Sequence, residues 1–97
     1  MVMHDNAVIS RNSKTFVRKT KECLLVVDFD NDIWYSLNES AEMLWKYLWK
    51  PRPLSALIRK CEDVYGISVH QAREDVTDFV TEGIKKGYLL QSRPRLQ

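Results

Sequence analysis

Histidine, cysteine and glycine are all scarce in this sequence, and each scarcity removes a class of chemistry. His4 and His70 are the two histidines, Cys23 and Cys61 the two cysteines, and glycine occurs only at 66, 83 and 87. Neither histidine has a His, Cys or carboxylate at metal-ligand spacing, and catalysis by histidine needs a positioned base with an orienting partner. Metal sites and redox motifs need close pairs such as Cys-x-x-Cys, which are missing. Two reduced, partly buried thiols are therefore expected, and a disulfide between them is left open. The three glycines fall at helix ends or packing positions, so no glycine-rich loop exists to cradle a phosphate. Every serine reads as a cap, turn or surface residue. Together these absences point away from an enzyme, and neither a cofactor nor a metal is expected.

Long apolar runs are also missing. The longest, Leu24-Leu25-Val26-Val27, is far too short to span a bilayer, so no membrane association is expected. Met1-Val2-Met3-His4-Asp5-Asn6 has no basic region followed by an apolar one. No signal peptide is expected, and a cytoplasmic location is.

The chain holds 97 residues, 44% hydrophobic and 29% charged, which suits one ordinary globular domain. A formal charge of +2 is too small to imply nucleic acid, but the charge is unevenly spread. Arg11, Lys14, Arg18, Lys19 and Lys21 are opposed only by Glu22, whereas Asp28, Asp30, Asp32, Glu39 and Glu42 follow with only Lys46. The plain explanation is a solvated, lysine-rich strand that discourages edge-to-edge aggregation.

Residues 1–13 show no clear periodicity and read as an N-terminal arm. Thr15-Phe16-Val17-Arg18 is a modest strand candidate. Cys23 to Phe29 is stronger and nearly all apolar, so it is expected to be central. Asp30-Asn31-Asp32 reads as a turn, since Asn and Asp bond their own backbone and tolerate left-handed dihedrals. Ile33-Trp34-Tyr35-Ser36-Leu37 returns as a third strand. From Asn38, an N-cap candidate, the apolar period becomes helical: Leu37, Ala41, Leu44, Trp45, Leu48 and Trp49. Pro51 and Pro53 end this helix, and Leu54, Leu57, Ile58, Cys61 and Tyr65 mark a second, closed by Gly66.

Ser68 and Gln71 fit a capping box for a third helix, with Ile67 and Ala72 as a hydrophobic staple. Its apolar face is Ala72, Val76, Phe79, Val80 and Ile84, with Gly83 allowing close packing and Gly87 as the cap. Tyr88-Leu89-Leu90 is expected to fold back over the core, and residues 91–97 read as a flexible tail. The fold class is α+β: a three-stranded antiparallel sheet followed by three helices, winged-helix-like.

A winged helix raises the question of DNA. A recognition helix presents basic and amide groups to the major groove. The third helix instead carries Glu74, Asp75, Asp78 and Glu82 against Arg73, Lys85 and Lys86, a face that repels phosphate. Nucleic-acid binding rests only on the Arg11 to Lys21 stretch. Peptide binding fits better. With Cys23 to Phe29 central, Ile33 to Leu37 is an edge strand carrying Trp34 and Tyr35 and no Lys or Pro to blunt it. An extended peptide can satisfy the free backbone groups of such an edge. The simpler alternative is that Trp34 and Tyr35 only pack the sheet faces, and alternation puts one of them in the core.

One family resemblance rests on these residues. Leu24-Leu25-Val26-Val27-Asp28, then Ile33-Trp34-Tyr35-Ser36-Leu37-Asn38-Glu39-Ser40-Ala41 and Leu44-Trp45, resemble the PqqD family. Asp75-Val76 with Phe79-Val80, and the closing Gly87-Tyr88-Leu89, fit the same pattern, which covers residues 14–90. The resemblance implies a recognition element, or peptide chaperone, for ribosomally made and post-translationally modified peptides. It implies that a precursor's leader segment adds as a fourth strand beside the third, in a cleft walled by the third helix. Carried over by position, Ile33, Trp34, Tyr35, Ser36 and Leu37 supply the pairing strand, and Asp75, Phe79 and Glu82 line the helix side. Asn38 matches the family's Asn, with a capping role.

The implied partner in trans is a modifying enzyme, such as a radical SAM enzyme, a protease or a cyclase. The basic stretch is denser than the family pattern requires and is free to dock an enzyme or an acidic leader. Two rival readings remain: a winged-helix nucleic-acid binder using Arg11 to Lys21, and a homodimer joined through the edge strand.

Overall fold

Nine elements follow one another in a computed structural model that describes residues 4–92: β1 (Val8–Arg11), β2 (Phe16–Lys19), β3 (Leu24–Asp28), β4 (Ile33–Leu37), α1 (Glu39–Tyr47), β5 (Arg52–Pro53), α2 (Leu54–Tyr65), α3 (Val69–Lys86) and β6 (Leu89–Ser92). The α+β class holds, with three helices and the meander in the expected order. β3 is the central strand of that meander, antiparallel to β2 on one side and β4 on the other. Loops of four residues each, 20–23 and 29–32, join the three strands. In the second loop Asp28 Oδ1 accepts from the N–H of Asp30 and Asn31, and Asp32 takes a φ of 53°. That is the local bonding and left-handed tolerance for which Asn and Asp are selected in turns.

A second sheet departs from the expectation. β1 lies between β5 and β6, with Ile9 opposite both Arg52 and Gln91. The N-terminal arm is therefore an ordered strand over Val8–Arg11, and the tail is ordered through Gln91 and Ser92. Residues 93–97 of the tail, and 1–3 of the arm, lie outside the described residues. Physically, Ala7 and Ile9 are the inward, buried residues of a very short segment. One alternating pair is too little pattern to declare a strand. The pairing partners are also distant in sequence, so nothing local announces them.

The helices form where their caps and apolar stripes call for them. Asn38 accepts from the N–H of Ala41 and starts α1. Ser68 accepts from the N–H of Gln71 and starts α3. The Gln71 side chain does not complete a capping box; it donates to Asp75 at 2.9 Å instead. α3 ends at Gly87, whose φ of 89° a side chain would resist. Gly83 lets β6 close onto α3: a Cβ there would stand 2.4 Å from Leu89 Cδ1.

One continuous core joins both sheets and all three helices. It includes Ile9, Val26, Leu37, Leu44, Trp45, Leu57, Cys61, Val76, Val80 and Leu89. Both cysteines are free thiols, Cys61 fully buried and Cys23 half-buried. Among the described residues no helix is long and apolar enough to cross a membrane.

Candidate functional site

Which backbone groups of β4 are free follows from the register. Thr20 N–H donates to the Cys23 carbonyl at 2.9 Å, making that pair hydrogen-bonded. In an antiparallel ladder such pairs alternate with pairs that exchange no bonds. Continuing through the register, Leu25 and Val27 turn their backbone groups toward Arg18 and Phe16 on β2. Leu24, Val26 and Asp28 then turn theirs toward Leu37, Tyr35 and Ile33 on β4. The N–H and C=O groups of Trp34 and Ser36 consequently point away from the sheet. Among the described residues no strand pairs with this outer edge of β4.

The same alternation sorts the side chains. Ile33, Tyr35 and Leu37 share the face of Val26 and Leu24, whereas Trp34 and Ser36 share the opposite face with Val27 and Leu25. Of the two aromatics, Tyr35 is the inward one. Its ring packs 5.5 Å from that of Tyr88, which in turn lies 6.0 Å from Trp45. Trp34 stays 47% exposed on the outer face, beside the paired rings of Phe16 and Phe29.

Between β4 and α3 runs a cleft of about 240 Å³. Its floor is apolar, built from the buried residues Leu37, Ala41, Phe79 and Tyr88. Its helix side carries Asp75, Asp78, Glu82 and Lys86. These positions recur every three or four residues along α3 and so form one stripe. Glu82 and Lys86 pair at 2.9 Å, which holds the Glu82 carboxyl below and the Lys86 ammonium above its ordinary range. Lys86 Nζ also sits 5.0 Å from the centre of the Tyr35 ring. Burial pushes the Tyr88 hydroxyl up, so it stays protonated.

Of the residues selected from sequence, Ser36, Leu37, Asp75, Phe79 and Glu82 come together along this cleft. Tyr35 adjoins it through Tyr88 and Lys86. Ile33 and Trp34 do not line it, although they belong to the same exposed edge. Asp78, Lys86 and Tyr88 line it without having been singled out. The α3 stripe was signal enough for Asp78 and Lys86, since both share its spacing. Tyr88 carried no such signal, because its place depends on the turn that Gly87 makes.

The basic stretch offers fewer free cations than its sequence suggests. Arg11 stacks over the Trp45 ring at 4.8 Å and donates to the Trp45 carbonyl, and Lys19 pairs with Glu42. Two of the five cations in the basic stretch are thus held within the fold. Among the described residues no cluster of His, Cys, Asp and Glu could hold a metal.

Comparison with known proteins adds the decisive observation. The family model for PqqD, the coenzyme PQQ synthesis protein D, matches residues 23–89. The chain belongs to the PqqD family. No curated protein is matched by its sequence. Two solved structures share the PqqD-family fold. One is described as a lasso peptide synthetase B1 complexed with the leader peptide: TM-score 0.69, 17% identity, covering 84% of this chain and 96% of that one. The other is TbiB1 in complex with the TbiA(beta) leader peptide: TM-score 0.73, 11% identity, covering 82% and 93%.

Proposed function

We propose that this PqqD-family chain binds the leader segment of a ribosomally made precursor peptide by strand addition at the β4 edge. The observation that carries this reading is the conjunction of the outward Trp34 and Ser36 peptide groups with an open cleft immediately beside them. A bare edge is an aggregation hazard unless something pairs with it. An extended peptide supplies backbone partners to both residues and lays alternate side chains into the cleft. Ile33, Trp34, Tyr35, Ser36 and Leu37 form the pairing strand; Asp75, Phe79 and Glu82 form the opposing wall. The two leader-bound structures of the same fold support this reading.

The function is binding rather than catalysis. A leader ordered on β4 leaves the rest of the precursor free for a modifying enzyme in trans, such as a radical SAM enzyme, a protease or a cyclase. Ordering a flexible leader costs conformational entropy, so affinity comes from main-chain pairing and a few apolar anchors. The nucleic-acid alternative finds no support at α3, whose cleft-facing stripe has three carboxylates and one ammonium.

The test is a titration with the leader of a precursor peptide encoded beside the gene, followed by tryptophan fluorescence. Saturable binding that depends little on salt supports the proposal. Binding only to duplex DNA, lost steeply as salt rises, supports a winged-helix reading instead. A size that doubles with concentration, and no leader binding, supports an edge-to-edge dimer.

A further inference from the structure

The cleft also carries information about which side chain it receives. Its floor is apolar while its α3 rim is acidic, with Asp75, Asp78 and Glu82 facing one cation, Lys86. That cation is already paired with Glu82. Among the described residues Asp75 accepts only from the neutral Gln71 amide, and Asp78 has no side-chain hydrogen bond or ion pair. A carboxylate accepts several hydrogen bonds, so both retain most of their capacity. An apolar floor beneath a negative rim fits a long side chain with an aliphatic stem and a cationic head.

We infer that the bound peptide places a Lys or Arg in this cleft, its stem on Phe79 and Tyr88 and its head on Asp75 and Asp78. This inference rests on the leader-binding reading and adds the chemistry of the residue recognised. Parity locates that residue on the added strand. Side chains opposite Trp34 and Ser36 lie on the outer face, so the cation sits beside Tyr35 or Leu37, alternating with the residues that exchange backbone bonds. The sign runs opposite to the one suggested by the basic stretch, where Arg11 and Lys19 are already engaged.

The experiment selects a displayed library of random short peptides on the full chain and, in parallel, on the Asp75→Asn/Asp78→Asn double variant. Each selected peptide is then resynthesised with Lys, norleucine or Glu at the enriched position. Amide NMR shifts on β4 report whether it binds there, and urea denaturation checks that the variant is folded. The expected result is Lys or Arg enriched at one parity, with norleucine and Glu weakening binding. The double variant should lose about fivefold to twentyfold in affinity for the Lys peptide and little for norleucine. Asp78→Lys should shift preference toward Glu. Peptides that shift β4 but are neutral or acidic at the cleft positions, or whose affinity the double variant leaves unchanged, overturn the inference and leave leader binding standing. If no selected peptide shifts β4, the functional proposal itself falls and the inference with it.

Discussion

Proline substitutions at neighbouring positions of β4 should have opposite effects, because the register turns their N–H groups in opposite directions. Ser36 N–H points outward, so Ser36→Pro removes no bond within the fold, and an edge strand tolerates proline there. Its stability cost should stay below about 1 kcal/mol. For a paired peptide, the same change deletes one hydrogen bond, about 0.5–1.5 kcal/mol net, and the ring holds the incoming strand away from its neighbours. A total of about 1.5–3 kcal/mol corresponds to roughly tenfold to a hundredfold weaker binding.

Tyr35 N–H faces Val26. Tyr35→Pro strands the Val26 carbonyl, at about 1–3 kcal/mol. It also removes a partly buried ring packed against Tyr88, about another 1.5–3 kcal/mol. Against a typical stability of about 5–15 kcal/mol, that is a large fraction. Urea denaturation followed by tryptophan fluorescence measures stability, and anisotropy of a labelled leader measures binding. Full-strength binding by folded Ser36→Pro, or a destabilised Ser36→Pro beside an intact Tyr35→Pro, would refute the assigned parity.

Three further substitutions or conditions probe other parts of the account. Phe79→Ala opens the cleft floor and should weaken leader binding by about 1–3 kcal/mol; unchanged affinity in the folded variant removes Phe79 from the site. Gly83→Ala should destabilise despite the helix propensity it gains, about 1 kcal/mol, because Leu89 is 1% exposed and cannot turn aside. Combining it with Leu89→Ala should cost less than the sum of the two; additive urea midpoints contradict the contact. Acidification should also lower stability. The carboxyls of Asp5, Glu42 and Glu82 are held below their ordinary range, first by side-chain bonds from Arg73, Lys19 and Lys86. A depressed folded-state value gives stability that is full above the unfolded value and lost as pH falls through the folded one, so the urea midpoint should drop below roughly pH 4. A flat midpoint across that range contradicts the pairings.

Much of the fold was legible because its signals are local. β4 came out with its bounds intact, since Asp30-Asn31-Asp32 and Asn38 punctuate it on both sides. The three helices announced themselves through apolar period and caps. The β1–β5–β6 sheet was not legible, because its strands are short and pair across most of the chain. Alternation foretold that one of Trp34 and Tyr35 turns inward, but only the ladder register decides that it is Tyr35. The cleft was half legible: Asp75, Phe79 and Glu82 share a helical stripe with Asp78 and Lys86, whereas Tyr88 arrives through the Gly87 turn.

Amide hydrogen exchange on the full chain, with and without the neighbouring precursor's leader, tests strand addition at β4 most directly. Trp34 and Ser36 amides should exchange freely alone and become protected on saturation, while Tyr35 should be protected in both states. Leader binding that leaves Trp34 and Ser36 unprotected, or protects another surface instead, would contradict strand addition.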